Sequence, residues 1–530
     1  MGIAIPSPGS RIFPLPSLPG PLRSLWSSGT RVERDEYRVV GVGGTPLEVV
    51  VYRPAHPAEP TARSHPVVVL PTSWGSPPTG YTLFLEWLAD SGYLAVAYTP
   101  RGFLRSGGRI EAASPRDVGD FGAVLDWVLE EFPIADPGRV AAVGLSYGAG
   151  ISLLAAAKDS RVKTVVAVDG WADLSEAVNP GDTPRLSAGL LVDGGMLGGK
   201  PSASFVEAVV DYYSGRHQQR FRRWSAERSA SSVVDEINAR PVTVLLAAGW
   251  NDTVLRPEQT VEFHHRLTGR AVLLLHPDDH PVVPFASFLG RAGDVWAYVR
   301  RWLDHELLGL PTGVEDDGPV IILRPDGSED HEESTSALSG EATRFQLGAP
   351  PTVGNGRLTD LVSAWQKRLV GGLPSGAIDR VPVLSRCMEA LGIPPMVYFP
   401  LLPGPVAGSW VTEPVHETMK VRGSPLLHLA VTSPHSTTTL TAHLYEVDAA
   451  GLGRLITQAT ATVRTGGHEP APVDFRFRTT VAEVRGHRRI GLVVGTADPT
   501  CVSRTLPFSK VVLHSRSGDP ATLSLNLRGR

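Results

Sequence analysis

Residues 139–159 read RVAAVGLSYGAGISLLAAAKD, and the fold turns on them. In the strand candidate 139–145, the run after Arg139 is apolar without polar alternation, as in a strand covered on both faces. From Tyr147 to Asp159 the pattern is that of a buried helix. Between them stands Gly144-Leu145-Ser146-Tyr147-Gly148. A serine in such a strand-to-helix turn sits under backbone strain, its hydroxyl projecting at the carboxyl edge of a sheet. The flanking glycines let chains approach where a Cβ would clash. The helix N-terminus favours negative charge developing beside it. Ser146 is therefore the candidate nucleophile, and the Tyr147 backbone N–H a candidate oxyanion donor.

Working outward, further short apolar runs at 66–70, 93–98, 164–169, 241–248 and 270–276 alternate with helical patterns at 80–91, 116–132 and 255–268, and a helix at 291–308 follows the last strand. Strand–helix alternation predicts an α/β fold, a parallel sheet with helices on both sides. Residues 37–54 read as two strands around a turn. The stretch 171–240 breaks the rhythm and ends in an Arg-rich helix-like segment (Arg216 to Arg228), which reads as a cap inserted above the sheet. Beyond PTGVEDDG at 311–318, alternating runs from PVIILRP to ATLSLNL predict an antiparallel sandwich, with a helix over LTDLVSAWQKRLV. The expected organisation is a Pro-rich arm over 1–35, an α/β domain over 36–312 with the cap at about 171–240, and a β-sandwich domain over 319–530.

A serine hydroxyl needs a base, and the base needs an orienting acid. With a nucleophile elbow the acid and histidine follow in that order at the ends of later strands. Asp252, in the turn Gly249-Trp250-Asn251-Asp252 after VTVLLAAG, fits the acid. The run AVLLLHPDDHP offers His276, at the strand end, and His280, in the loop beyond, where a general base belongs. His280 is preferred. His264 and His265 fall within a helix pattern as packing or surface residues, and Asp278 and Asp279 read as turn formers beside the base. The second oxyanion donor is expected from Pro71-Thr72-Ser73-Trp74-Gly75, as a backbone N–H of Ser73 or Trp74.

Composition limits the alternatives. Among 530 residues, 50 Lys and Arg face 54 Asp and Glu, a net charge of −4. Nucleic-acid binding and polybasic membrane association both need a basic surplus that is missing. Cys387 and Cys501 form neither a disulfide framework nor a CxxC metal pair and read as ordinary thiols. No stretch is apolar enough to span a membrane, and the N-terminus lacks a basic start followed by an apolar helix, so a cytoplasmic protein is expected.

Several segments together resemble the CocE/NonD group of serine hydrolases, the cocaine-esterase-like and X-Pro dipeptidyl-peptidase (peptidase family S15) relatives. They are Arg101-Gly102 with Ser106-Gly107-Gly108, the helix RDVGDFGAVLDWV with Asp120 and Trp127, GLSYG, GWNDTV, LLLHPDDH, RRWLDHELLGLPTGV, and RGSPLLHLAVTS with LTAHLYEVDAAGLGRLIT. The likeness covers about 37–310 and 410–525. It implies an α/β-hydrolase core, a helical cap and a C-terminal jelly-roll sandwich near the active-site mouth, with the catalytic histidine on His280. The chain departs from the pattern where the family's Gly-Pro-Trp before that histidine is His276-Pro277-Asp278. It departs again where Pro71-Thr72 replaces a Pro-Tyr pair in the oxyanion loop. The cap carries arginines and no recognisable carboxylate cluster for a substrate's free amine.

The expectation is a cofactor-independent, metal-free serine hydrolase cleaving an ester or amide of a small molecule or short peptide through Ser146, His280 and Asp252. An X-Pro dipeptidyl-peptidase is the nearest rival, and an inert ligand-binding protein the more distant one. No nucleic-acid or membrane partner is expected. Oligomeric state stays open, a homo-oligomer included.

Overall fold

We describe the chain from a computed structural model, over residues 32–55, 64–281, 290–339, 342–351, 354–381, 394–467 and 469–529. The Pro-rich arm through residue 31 and Cys387 lie outside the described residues. Residues 32–35, read above as the end of that arm, instead open the first strand.

Ten strands form the first sheet: β1 (Val32–Val40), β2 (Pro46–Pro54), β3 (His65–Pro71), β4 (Leu94–Tyr98), β5 (Ala135–Leu145), β6 (Val162–Val168), β7 (Thr243–Gly249), β8 (Ala271–His276), β9 (Val320–Leu323) and β10 (Glu329–Glu332). Their order is β1-β2-β4-β3-β5-β6-β7-β8-β9-β10. From β4 across to β9 neighbours run parallel, and the β1–β2 hairpin and β10 close the edges antiparallel. The apolar runs are continuous because both faces are covered: Val67 and Val69 enter one core, Val68 and Leu70 the other. On one face α1 (Thr82–Asp90) and α10 (Gly290–Leu308) supply Phe84, Trp296 and Trp302, and on the other α2 (Pro115–Glu131) and α3 (Tyr147–Lys158) supply Val124, Leu125 and Leu153. Each such fully buried side chain contributes about 1.5–3 kcal/mol. Ser114 caps α2 in a capping box with Asp117.

The chain passes from β3 to β4 on one side and then returns to β5 on the other. This reversal opens a crevice at the carboxyl ends of β3 and β5, where the loop 72–75 and Ser146 both lie. Helices α4 (Leu174–Val178), α5 (Leu186–Met196), α6 (Ala203–Ser214), α7 (Gln218–Ala226) and α8 (Val234–Asn238) make the cap, and α9 (Glu258–Arg266) follows β7.

The remaining strands fold into two leaves joined where Ala342–Leu347 pairs with Gly356–Thr359. Leu427 and Leu429 of one leaf meet Leu444 and Leu492 of the other in a shared core, as a sandwich requires. Two local readings are corrected. Val320–Leu323, taken above as the first run of the second part, pairs parallel with β8 and extends the first sheet. The helix read over LTDLVSAWQKRLV is a strand pair, with Trp365–Val370 antiparallel to Lys510–Ser515. Leu361 and Val362 are exposed between the two strands Gly356–Thr359 and Trp365–Val370. Among the described residues no helix is long and apolar enough to cross a membrane.

Candidate active site

Ser146 joins β5 to α3 with φ 55° and ψ −115°, a left-handed conformation that a side chain adopts only under strain. The neighbours explain how it is held. A Cβ on Gly144 would lie 2.1 Å from the Gly148 carbonyl carbon, and one on Gly148 2.0 Å from the Pro71 carbonyl oxygen. The turn therefore closes only with glycine at both places. The next residue is tied sideways: Tyr147 Oη donates to Asp117 Oδ1 (3.1 Å) and accepts from the Ala113 N–H (3.1 Å). Burial pushes the Asp117 carboxyl up to about 6 and the Tyr147 phenol well above its ordinary range.

The three residues singled out in the sequence meet here. Ser146 Oγ lies 3.0 Å from His280 Nε2, and His280 Nδ1 lies 2.8 Å from Asp252 Oδ2. Ser146, His280 and Asp252 are 6%, 3% and 2% exposed. Asp252 Oδ1 accepts the backbone N–H groups of Val254 and Leu255, each at 2.7 Å, which fixes the carboxylate plane. Asp279, read as a turn former, accepts at Oδ1 from the His280 N–H (2.7 Å), the Thr253 N–H (2.8 Å) and Thr253 Oγ1 (2.7 Å). The acid turn and the histidine loop are thereby joined through one carboxylate. Burial lowers the basicity of His280, but the Asp252 charge and hydrogen bond outweigh it and hold the imidazole above its ordinary value.

His276 does not reach the serine. Its Nε2 bonds Asp169 Oδ1 at 2.9 Å, and the same oxygen accepts the Gly249 N–H at 3.1 Å. Asp169 follows β6 in a left-handed conformation (φ 44°), so this second pair staples the ends of β6, β7 and β8. Asp169 belongs to no motif in the sequence; its one mark there is a lone acid after the apolar run TVVAV. His264 is buried with Nε2 3.3 Å from the Ala271 carbonyl, and His265 bonds Thr335, so both are structural.

Of the two backbone donors expected from the oxyanion loop, the Ser73 N–H is taken: it donates to Tyr81 Oη at 2.9 Å, and Tyr81 Oη donates to Ser73 Oγ at 2.7 Å. Trp74 lines the same cavity as Ser146 and Tyr147. That cavity encloses about 780 Å3 including its mouth and runs from the elbow up under the cap, against Trp171, Phe205, Phe221 and Leu255. Its aromatic lining turns its polar atoms away. Trp74 Nε1 donates to the Val192 carbonyl, Trp171 Nε1 to the Arg228 carbonyl, Trp224 Nε1 to Ser204, Tyr212 Oη to the Arg185 carbonyl and Tyr213 Oη to Asp193. Among the described residues the lining contains no carboxylate. Of the cap arginines, Arg220 and Arg222 pair outside it with Asp211 and Asp182, and Arg228 lies over the Trp224 ring at 4.1 Å.

Comparison with known proteins bears on the family and the fold. Residues 43–281 match the X-Pro dipeptidyl-peptidase family (S15). No curated protein sequence matches the chain. Among solved structures, an α-amino acid ester hydrolase superposes with TM-score 0.72 at 16% identity, covering 95% of this chain and 97% of that one. A CocE/NonD family hydrolase from Staphylococcus aureus gives 0.72 at 14% identity, covering 94% of each. An aminopeptidase from a marine sediment Thaumarchaeota archaeon gives 0.67 at 14% identity, covering 98% and 99%. These structures share the fold, and with the family match they bear out the resemblance to a hydrolase of this group.

Proposed function

With the S15-family match of residues 43–281 as premise, we propose that the chain is a cofactor-independent serine hydrolase cleaving esters of neutral, apolar acids. Ser146 Oγ attacks the ester carbonyl while His280 Nε2 takes its proton. Asp252 holds the proton of the neutral imidazole on Nδ1 and stabilises the imidazolium that forms. The N–H groups of Tyr147 and Trp74 receive the oxyanion, each such donor being worth about 3 kcal/mol in the transition state. His280 then protonates the leaving alkoxide, and water repeats the cycle on the acyl-enzyme. The observation that carries this reading is the unbroken Ser146–His280–Asp252 hydrogen-bond chain at a strained elbow.

The cavity supports an ester of an apolar acid over a dipeptide. A substrate ammonium placed among Trp74, Trp171 and Phe205 would be stripped of water with no carboxylate to meet it. The test is direct. Ser146→Ala is expected to lower p-nitrophenyl butyrate turnover by on the order of 10⁵-fold and to abolish fluorophosphonate labelling. Label persisting on another serine refutes the assignment. An X-Pro p-nitroanilide turned over faster than the ester would overturn the substrate class.

A further inference from the structure

Thr253, the residue after the acid Asp252, is gripped from two sides. Its N–H and Oγ1 are held by Asp279, which also holds the His280 N–H. Its carbonyl accepts from Arg185 Nε at 3.1 Å and Arg185 Nη2 at 2.9 Å, and also from Ser187 Oγ. Arg185 enters α5 of the cap and is fully buried, at 2% exposure. Its Nη2 continues to Asp379 Oδ2 at 3.2 Å, and Asp379 belongs to the C-terminal half of the chain. There the same oxygen takes Gln458 Nε2 at 2.9 Å and Arg478 Nη2, and the Asp379 N–H donates to Asp498 Oδ2 at 2.9 Å. The backbone is laced at the same place: the Leu186 N–H donates to the Thr500 carbonyl (2.9 Å), and the Val502 N–H to the Pro184 carbonyl (2.8 Å).

A buried guanidinium spends desolvation that only close, directional partners return, and this one uses two of its bonds on a single carbonyl one residue from the catalytic acid. A contact so placed fixes the distance from acid turn to histidine loop. We infer that Arg185 is a positioning residue for the triad, holding the Thr253–Asp279 clasp against Asp379, so that the alignment of Asp252 with His280 depends on the C-terminal half. The inference rests on the reading of Ser146, His280 and Asp252 as the acting residues.

The test uses the full-length chain with p-nitrophenyl butyrate. Arg185→Lys keeps the charge and loses the paired bonds to Thr253, and Asp379→Asn keeps the shape and loses the anchor. Each is expected to lower kcat by about 10- to 100-fold, the scale of a misplaced catalytic group, with KM held within about threefold. The pH profile adds a readout that partial unfolding would not move. The charged groups facing His280 are Asp252, Asp169 and Asp279, and Asp252 does most to hold its basicity up. With that alignment loosened, the acid limb of the kcat profile shifts to lower pH, whereas a smaller folded fraction only scales the curve. Thr462→Val serves as control. It removes another contact between cap and sandwich, Thr183 Oγ1 to Thr462 Oγ1 at 2.9 Å, that does not touch the acid turn, and it leaves kcat and the limb in place. Folded Arg185→Lys and Asp379→Asn proteins with wild-type kcat and an unmoved limb overturn the inference, as does a Thr462→Val protein that reproduces their effect. Should Ser146→Ala retain activity, the underlying reading fails first. Should Ser146→Ala be dead while Arg185→Lys is normal, only this inference fails.

Discussion

Two buried histidine–aspartate pairs stand at neighbouring strand ends. Both imidazoles are nearly sealed from solvent, at 1% for His276 and 3% for His280, and in both a carboxylate overcomes the penalty of burial and holds the ring above its ordinary basicity. They differ in what remains free. His280 gives Nδ1 to Asp252 and keeps Nε2 for Ser146. His276 gives Nε2 to Asp169, and its Nδ1 stands 3.9 Å from Asp278 Oδ2. Burial and an acid partner therefore do not distinguish the two rings; what separates them, and what the proposed mechanism uses, is the nitrogen left over and the group it faces.

Substitution separates the pairs most sharply at the histidines. His280→Asn is expected to reduce kcat by on the order of 10⁵-fold, while His276→Asn changes it by less than about tenfold, because the His276 ring bonds Asp169 and not Ser146. Equal losses in steady-state ester hydrolysis would erase the distinction. The acids come next. Asp252→Asn should cost about 10⁴-fold through the wrong imidazole tautomer, and Asp169→Asn far less. A Asp169→Asn enzyme as impaired as Asp252→Asn would mean that both carboxylates serve one histidine.

The smallest effect is on stability. His276 is raised above its unfolded value, against burial, by Asp169, and the Asp169 carboxyl is lowered, against burial, by His276. The charged pair therefore stabilises the fold most between the unfolded carboxylate and imidazole values, about pH 4 to 6.5. That stability is lost as pH rises through the raised His276 value, and again at acid pH through the lowered Asp169 value. His276→Asn should lower Tm more at pH 6 than at pH 9, by a few degrees at most for a chain of this size. A Tm deficit unchanged between the two pH values would show that the pair acts by packing alone.

The elbow was readable because its constraints are local: a buried strand, two glycines at fixed spacing and a helix leave one conformation for Ser146. His280 was separable from His276 for a similar reason, since a residue ending a strand is aimed by the sheet and one beyond it by a loop. Arg185 and Asp379 were not legible. They lie far apart in the chain and meet only because cap and sandwich meet. Trp365–Val370 failed for the same reason in reverse: its local spacing suits a helix, and the distant strand Lys510–Ser515 decides otherwise. Tyr81 takes the Ser73 N–H from eight positions further along the chain, a meeting that no periodicity announces.

The backbone lacing of 184–186 onto 500–502 bears on how the molecule comes apart. A roof sewn to the far half cannot swing on a hinge of its own. Loosening the sandwich is therefore expected to unroof the aromatic chamber as well, so that loss of the proposed ester hydrolysis and exposure of apolar surface should come as a single event.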